Sequence, residues 1–175
     1  YYRKSEIKPP HNGFTTLEKL YKVAEDRNYN SSASFNGYQR GTDKKPRNVA
    51  SLANKITLPY QTPYDVVWEY DTAIKQYRRT RNGQAEIDRN GKAVSAAVVV
   101  VLEATITPAY DQYVSVALKG TGRATFYQDG TMYSATWNKD PVSINSPLLF
   151  TDAQNKPVVF TPGTMWIEVV QITAP

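Results

Sequence analysis

The sequence of 175 residues has no cysteine, a single histidine (His11) and only two methionines. Without thiols there is no disulfide framework, no thiolate metal site and no cysteine nucleophile. One histidine cannot form a histidine-based zinc site, and it leaves His11 as the sole imidazole available as a general base. Long hydrophobic runs are also missing. The longest, Ala96 to Leu102, has the length of a strand and falls far short of a membrane-crossing helix. No signal-like segment opens the chain at Tyr1-Tyr2-Arg3-Lys4, so any targeting segment is expected to have been removed or to lie upstream. There is no Gly-x-Ser-x-Gly elbow and no glycine-rich phosphate loop leading into a helix. Asp88-Arg89-Asn90-Gly91 begins like a calcium loop but lacks the closing glutamate, so it reads as a plain turn.

What is present is an ordinary globular composition for about one domain, 41% hydrophobic and 21% charged. Thirteen Tyr among 12% aromatic residues favour strands over a helical bundle. The net charge of +5 is unevenly spread: residues 1–48 hold ten Lys or Arg against five acids, and residues 49–175 hold eleven of each sign. Such a basic quarter suits nucleic acid, an anionic polymer or an acidic partner, or else a plain solvated surface. A DNA binder shows a denser basic stripe, and a single-strand binder interleaves aromatics within it.

Pro9-Pro10 forbids a helix in the leader. A helix is expected after it, capped by Thr15 or Thr16, with Leu17, Leu20, Tyr21 and Ala24 on one face. Residues 30–50 lack periodicity and read as a long loop. From Lys55 the pattern turns to period two. Val66, Trp68 and Tyr70 share one strand face. Asn82-Gly83 supplies a two-residue hairpin turn that sets Arg79 opposite Glu86. The Val run from Ala96 implies burial on both faces, and Val114, Val116 and Leu118 are expected inward. Asp129-Gly130 sets a second hairpin, pairing Phe126 with Tyr133, Ala124 with Ala135 and Gly122 with Trp137. Met165, Ile167 and Val169 share a face of the last strand, leaving Trp166 on the other as a possible ligand platform. The expected fold is α+β, mainly antiparallel β, with about eight short strands and one N-terminal helix. Residues 1–50 are expected to be the tail of an upstream α/β domain, and 51–175 an antiparallel β domain.

Several pieces in this order carry a resemblance. They are Pro10-His11-Asn12 before the Thr-capped helix, Tyr64-Asp65-Val66-x-Trp68-x-Tyr70-Asp71, Asn82-Gly83 with Asp88, Phe126-x-x-Asp129-Gly130, Trp137-x-Lys139 and Gly163-Thr164-Met165-Trp166-Ile167. Together, over residues 10–170, they resemble the YerB-like lipoproteins. The resemblance implies an exported bacterial protein, tethered to the membrane by a lipid at its N-terminus, with an α/β domain ahead of a β-rich one. That family has no established biochemical function and donates no catalytic residue. Where its pattern has His, Asn and Gln, this sequence has Glu86, Ala97 and Val101. A polar site built on those positions in relatives is therefore expected to be lost here.

No set of residues forms a recognisable catalytic, cofactor or metal constellation, and none is assigned. The expected role is a non-enzymatic binding module of the cell envelope, with His11, Asn12, Lys44, Lys45, Arg47 and Trp166 as candidate partner-binding residues. The partners would be an envelope protein or cell-wall polymer and the upstream domain, with the membrane reached only through the lipid. A wall-polymer hydrolase or transferase using carboxylates is the alternative, and nucleic-acid binding through the basic quarter is a second.

Overall fold

The computed structural model describes residues 1–29, 35–41, 52–111, 113–143 and 145–172. The chain divides into two compact units, Tyr1–Asn36 and Gly37–Pro175. Among the described residues there are fourteen strands and one helix.

In the first unit, β1 (Tyr2–Arg3) pairs antiparallel with β2 (Gly13–Phe14). Asn12 closes this small ladder. Its Oδ1 accepts from Arg3 Nη1 at 2.6 Å, and its backbone oxygen accepts from the Lys4 amide at 2.9 Å. The helix α1 (Leu17–Asp26) starts where Thr16 takes an extended conformation and its Oγ1 accepts from the Lys19 amide at 3.3 Å. None of its residues is buried.

The second unit holds two five-stranded arrangements. One contains β3 (Lys55–Thr57), β4 (Val66–Asp71), β5 (Gln76–Arg81) and β6 (Gln84–Ala85) in that order, with β7 (Ser95–Ala96) also paired to β5. The other runs β13 (Leu149–Thr151), β12 (Thr131–Lys139), β11 (Gly120–Gln128), β8 (Val98–Ala104) and β14 (Met165–Gln171). All pairings are antiparallel except β14 with β8, which is parallel.

The central strand β8 explains the valine run. Val98, Val100, Leu102 and Ala104 enter one core with Phe126, Tyr133, Trp137, Phe150 and Phe160. Val99 enters the other with Ile56, Val66, Trp68 and Tyr77, and Val101 packs against it. Alternate side chains of one strand therefore serve two cores. The expected hairpin register is met residue by residue, with Phe126 opposite Tyr133, Ala124 opposite Ala135 and Gly122 opposite Trp137. At its turn Asp129 and Gly130 have φ of 53° and 69°, and at the other hairpin Asn82 and Gly83 have 49° and 72°.

Two expectations need correction. The expected eight strands are fourteen, because pieces such as β1, β2, β6 and β7 span two residues each and are too short to show a period. Val114, Val116 and Leu118 do not face a core. They are exposed, because β9 (Ile106–Tyr110) and β10 (Tyr113–Val116) pair with each other as a separate two-stranded arm. Alternation identifies a strand but not whether a neighbouring layer reaches that far.

Candidate functional site

Among the described residues of the second unit, Glu168 is the buried charged side chain. It sits on β14 between Trp166 and Val170, so alternation turns it into the second core beside them. A buried carboxylate there needs compensation. Trp68 Nε1 donates to its Oε1 at 3.0 Å, Arg79 Nε donates to the same oxygen at 3.3 Å, and the Tyr60 hydroxyl donates to Oε2 at 3.1 Å. The side chains of Glu168 and Arg79 are 7% and 10% exposed, which makes this a buried ion pair. The opposite end of Arg79 bonds Glu86 through Nη1, the cross-strand partner read from the Asn82-Gly83 turn. Its guanidinium lies 5.1 Å from the Trp166 ring centre and 5.7 Å from that of Trp68, and the two indoles meet edge to face at 5.4 Å. Burial, and then the neighbouring Glu168 charge, pushes the Tyr60 hydroxyl well above the ordinary tyrosine range, so it keeps its proton and stays a donor.

This cluster joins β4, β5 and β14 into one polar lock. Its acids are turned on Arg79 rather than on an open face, which is poor geometry for exchanging protons with a substrate. Among the described residues no group of three or more His, Cys, Asp or Glu side chains is placed to hold a metal ion.

The second notable feature is the β9–β10 arm. Residues 104–118 carry one charge, Asp111. Tyr110, Tyr113, Val114, Val116 and Leu118 are exposed, Tyr110 at 79%. Isolated exposed apolar residues are ordinary, but here they are concentrated on one two-stranded hairpin.

The residues expected to bind partners are not gathered into one place. His11 is exposed in the first unit, and Asn12 beside it is buried and occupied in closing the β1–β2 ladder. Lys44, Lys45 and Arg47 lie outside the described residues. Trp166 is half-buried between Trp68 and Arg79. Of the positions with a different family pattern, two meet at the lock, since Glu86 pairs with Arg79 and Val101 lies opposite Glu168 on the neighbouring strand, while Ala97 lies in the first core. Sequence reasoning missed Glu168 and Tyr60 as the centre of the lock. The available signal was an acid two residues from Trp166 and two from Val170, on a strand face that tryptophan and valine mark as covered.

The comparisons with known proteins agree with this architecture. Putative lipoprotein YerB of Bacillus subtilis (strain 168) is 26% identical over 176 residues, which cover 97% of this chain and 51% of the relative. The crystal structure of the YerB protein from Bacillus subtilis superposes with a TM-score of 0.71 at 23% identity, covering 97% of this chain and 56% of that one, and shows the same fold. The chain thus spans about half the length of the relative it matches. The resemblance carried by the motifs is borne out. A family model described as the C-terminal domain of a protein of unknown function (DUF3048) matches residues 56–167, more than half of the sequence, and the chain belongs to that family.

Proposed function

We propose that the chain is a non-enzymatic interaction module of a lipid-anchored protein exported to the bacterial cell envelope, and that the β9–β10 arm is its binding element. One observation carries the reading: a separate two-stranded hairpin with a single charge over residues 104–118 presents Tyr and Val side chains to solvent. The lipid anchor and the envelope location come from the relative, whose name describes a lipoprotein. In this organisation residues 1–50 are the tail of an upstream α/β domain, and residues 51–175 are the β domain that carries the arm. The polar lock supports a binding role over hydrolysis, because Glu168 and Glu86 are both spent on Arg79.

The test is incubation of the purified protein with washed cell walls and with the membrane-protein fraction. Retention with no release of soluble glycan fragments supports the module. Release of fragments that grows with time and protein concentration would replace it with the wall-polymer hydrolase.

A further inference from the structure

We propose that β10 pairs antiparallel with β10 of a second copy of this chain, through a twofold axis at Ser115; this rests on the reading of the arm as the binding element and names the occupant of its open backbone edge, its side-chain faces remaining for the envelope partner.

The two edges of the arm are unlike. Among the described residues β9 and β10 pair only with each other. On β9 the Ile106 amide donates to Gln171 Oε1 at 2.7 Å, and Pro108 has no amide hydrogen to offer. That edge is blunted. β10 reads Tyr113-Val114-Ser115-Val116, with neither proline nor charge. The Ala117 amide donates to the Thr105 oxygen at 2.9 Å, and Ser115 lies opposite Thr107. By the alternation of an antiparallel ladder, Ser115 also bonds inward, and Val114 and Val116 turn their backbone groups outward.

A strand that pairs with this edge must offer donors and acceptors at the same spacing. The register centred on Ser115 is the one that engages both outward residues of each β10. Centred on Ser115, Val114 of one copy meets Val116 of the other, and Val116 meets Val114. The outward-bonding residues then face each other in both directions, and two Val–Val pairs lie side by side on one face. Charge favours the same occupant. A patch that meets its own copy cannot carry much charge of one sign, and 104–118 holds only Asp111, outside the pairing strand. A lipid surface fits less well, because hydrocarbon leaves an open strand edge without hydrogen-bond partners.

The absence of cysteine gives a direct test. In the proposed register the two Ser115 form a non-hydrogen-bonded pair with Cα atoms about 4.5 Å apart, within disulfide reach. Val114 lies two positions from its own counterpart and beyond that reach. Ser115→Cys and Val114→Cys are each exposed single-thiol variants, to be oxidised with copper phenanthroline in air. The expected result is a covalent dimer of doubled mass for Ser115→Cys and a monomer for Val114→Cys, with the unmodified protein sedimenting as a dimer. Equal crosslinking of the two variants, or a monomer for the unmodified protein at ~100 µM (a Kd in the weak micromolar range), overturns the proposal. A monomer whose arm still holds it to the envelope fraction would overturn the twofold pairing alone and leave the binding role standing.

Discussion

The indole N–H of Trp68 donates to the carboxylate of Glu168 at 3.0 Å, joining residues one hundred positions apart in the chain. Trp68 lies on β4 and Glu168 on β14, in different sheets, and Arg79 on β5 neutralises the acid from the same side. The sheets are therefore joined by a buried charge pair as well as by apolar contact.

Removing one partner of a buried pair leaves the other uncompensated, which costs about 3–5 kcal/mol. Glu168→Ala is expected to lose toward the lower end of that range in urea unfolding, because Arg79 keeps Glu86 while the Trp68 indole N–H loses its acceptor. The double variant Arg79→Met with Glu168→Leu should be more stable than Glu168→Ala, because the buried cation goes with the buried acid and Glu86, which is partly exposed, is left to solvent. A loss below about 1 kcal/mol for Glu168→Ala would mean that the pair behaves as a surface contact.

Alkaline pH should expose the same node. Burial raises Tyr60 and Tyr77 above the ordinary tyrosine value of 10.0, and Glu168 adds to the shift of Tyr60. Both groups hold their protons more tightly when folded. Their contribution is complete below pH 10 and falls away as pH rises from there toward the folded values. Thermal unfolding between pH 8 and 11 should show Tm falling only in the upper part of that range. Tyr60→Phe should start about 1 kcal/mol lower at neutral pH and decline less steeply. An alkaline slope in Tyr60→Phe or Tyr77→Phe identical to that of the unmodified chain would contradict this.

Gly122 and Trp137 form a second dependent pair. They lie opposite each other on β11 and β12, and a Cβ at Gly122 would come within 2.6 Å of Trp137 Cε2. The indole is held there by its Nε1 donating to the Glu103 oxygen at 2.8 Å. Gly122→Ala should cost about 1–3 kcal/mol by displacing the ring, and Trp137→Ala about 3–5 kcal/mol. Near-wild-type stability in either variant, measured by denaturant titration, would place the ring elsewhere.

Charge reversal at Lys44, Lys45 and Arg47 tests the basic quarter. The expected outcome is an unchanged Tm together with weaker envelope capture at low salt, since an excess of basic charge steers association and is screened by salt. Capture that is the same at every salt concentration would reduce the segment to a solvated surface.

The legible parts of the fold were those fixed by neighbours in sequence. Asn82-Gly83 and Asp129-Gly130 declare their turns, and each turn sets the register of the strands beside it. Thr16 declares its helix start in the same way. The unread parts depend on distant partners. Nothing local shows that β14 lies parallel to β8, more than sixty residues away, so the face holding Trp166 and Glu168 read as half-open rather than as the lining of a core. The arm was misread for a related reason. Val114 and Val116 alternate like core residues, but no strand beyond β9 and β10 reaches them among the described residues. Of the partner-binding candidates, Asn12 proves to be a closing residue of its own ladder.

The most direct test of the arm as the binding element is co-sedimentation of purified protein with the cell-envelope fraction. Three proteins are compared: the unmodified chain, Val114→Glu with Val116→Glu, and Lys92→Glu in an exposed turn as control. The account predicts that the arm variant loses retention while its Tm is unchanged, and that the control is retained like the unmodified chain. Full retention of the arm variant would contradict it.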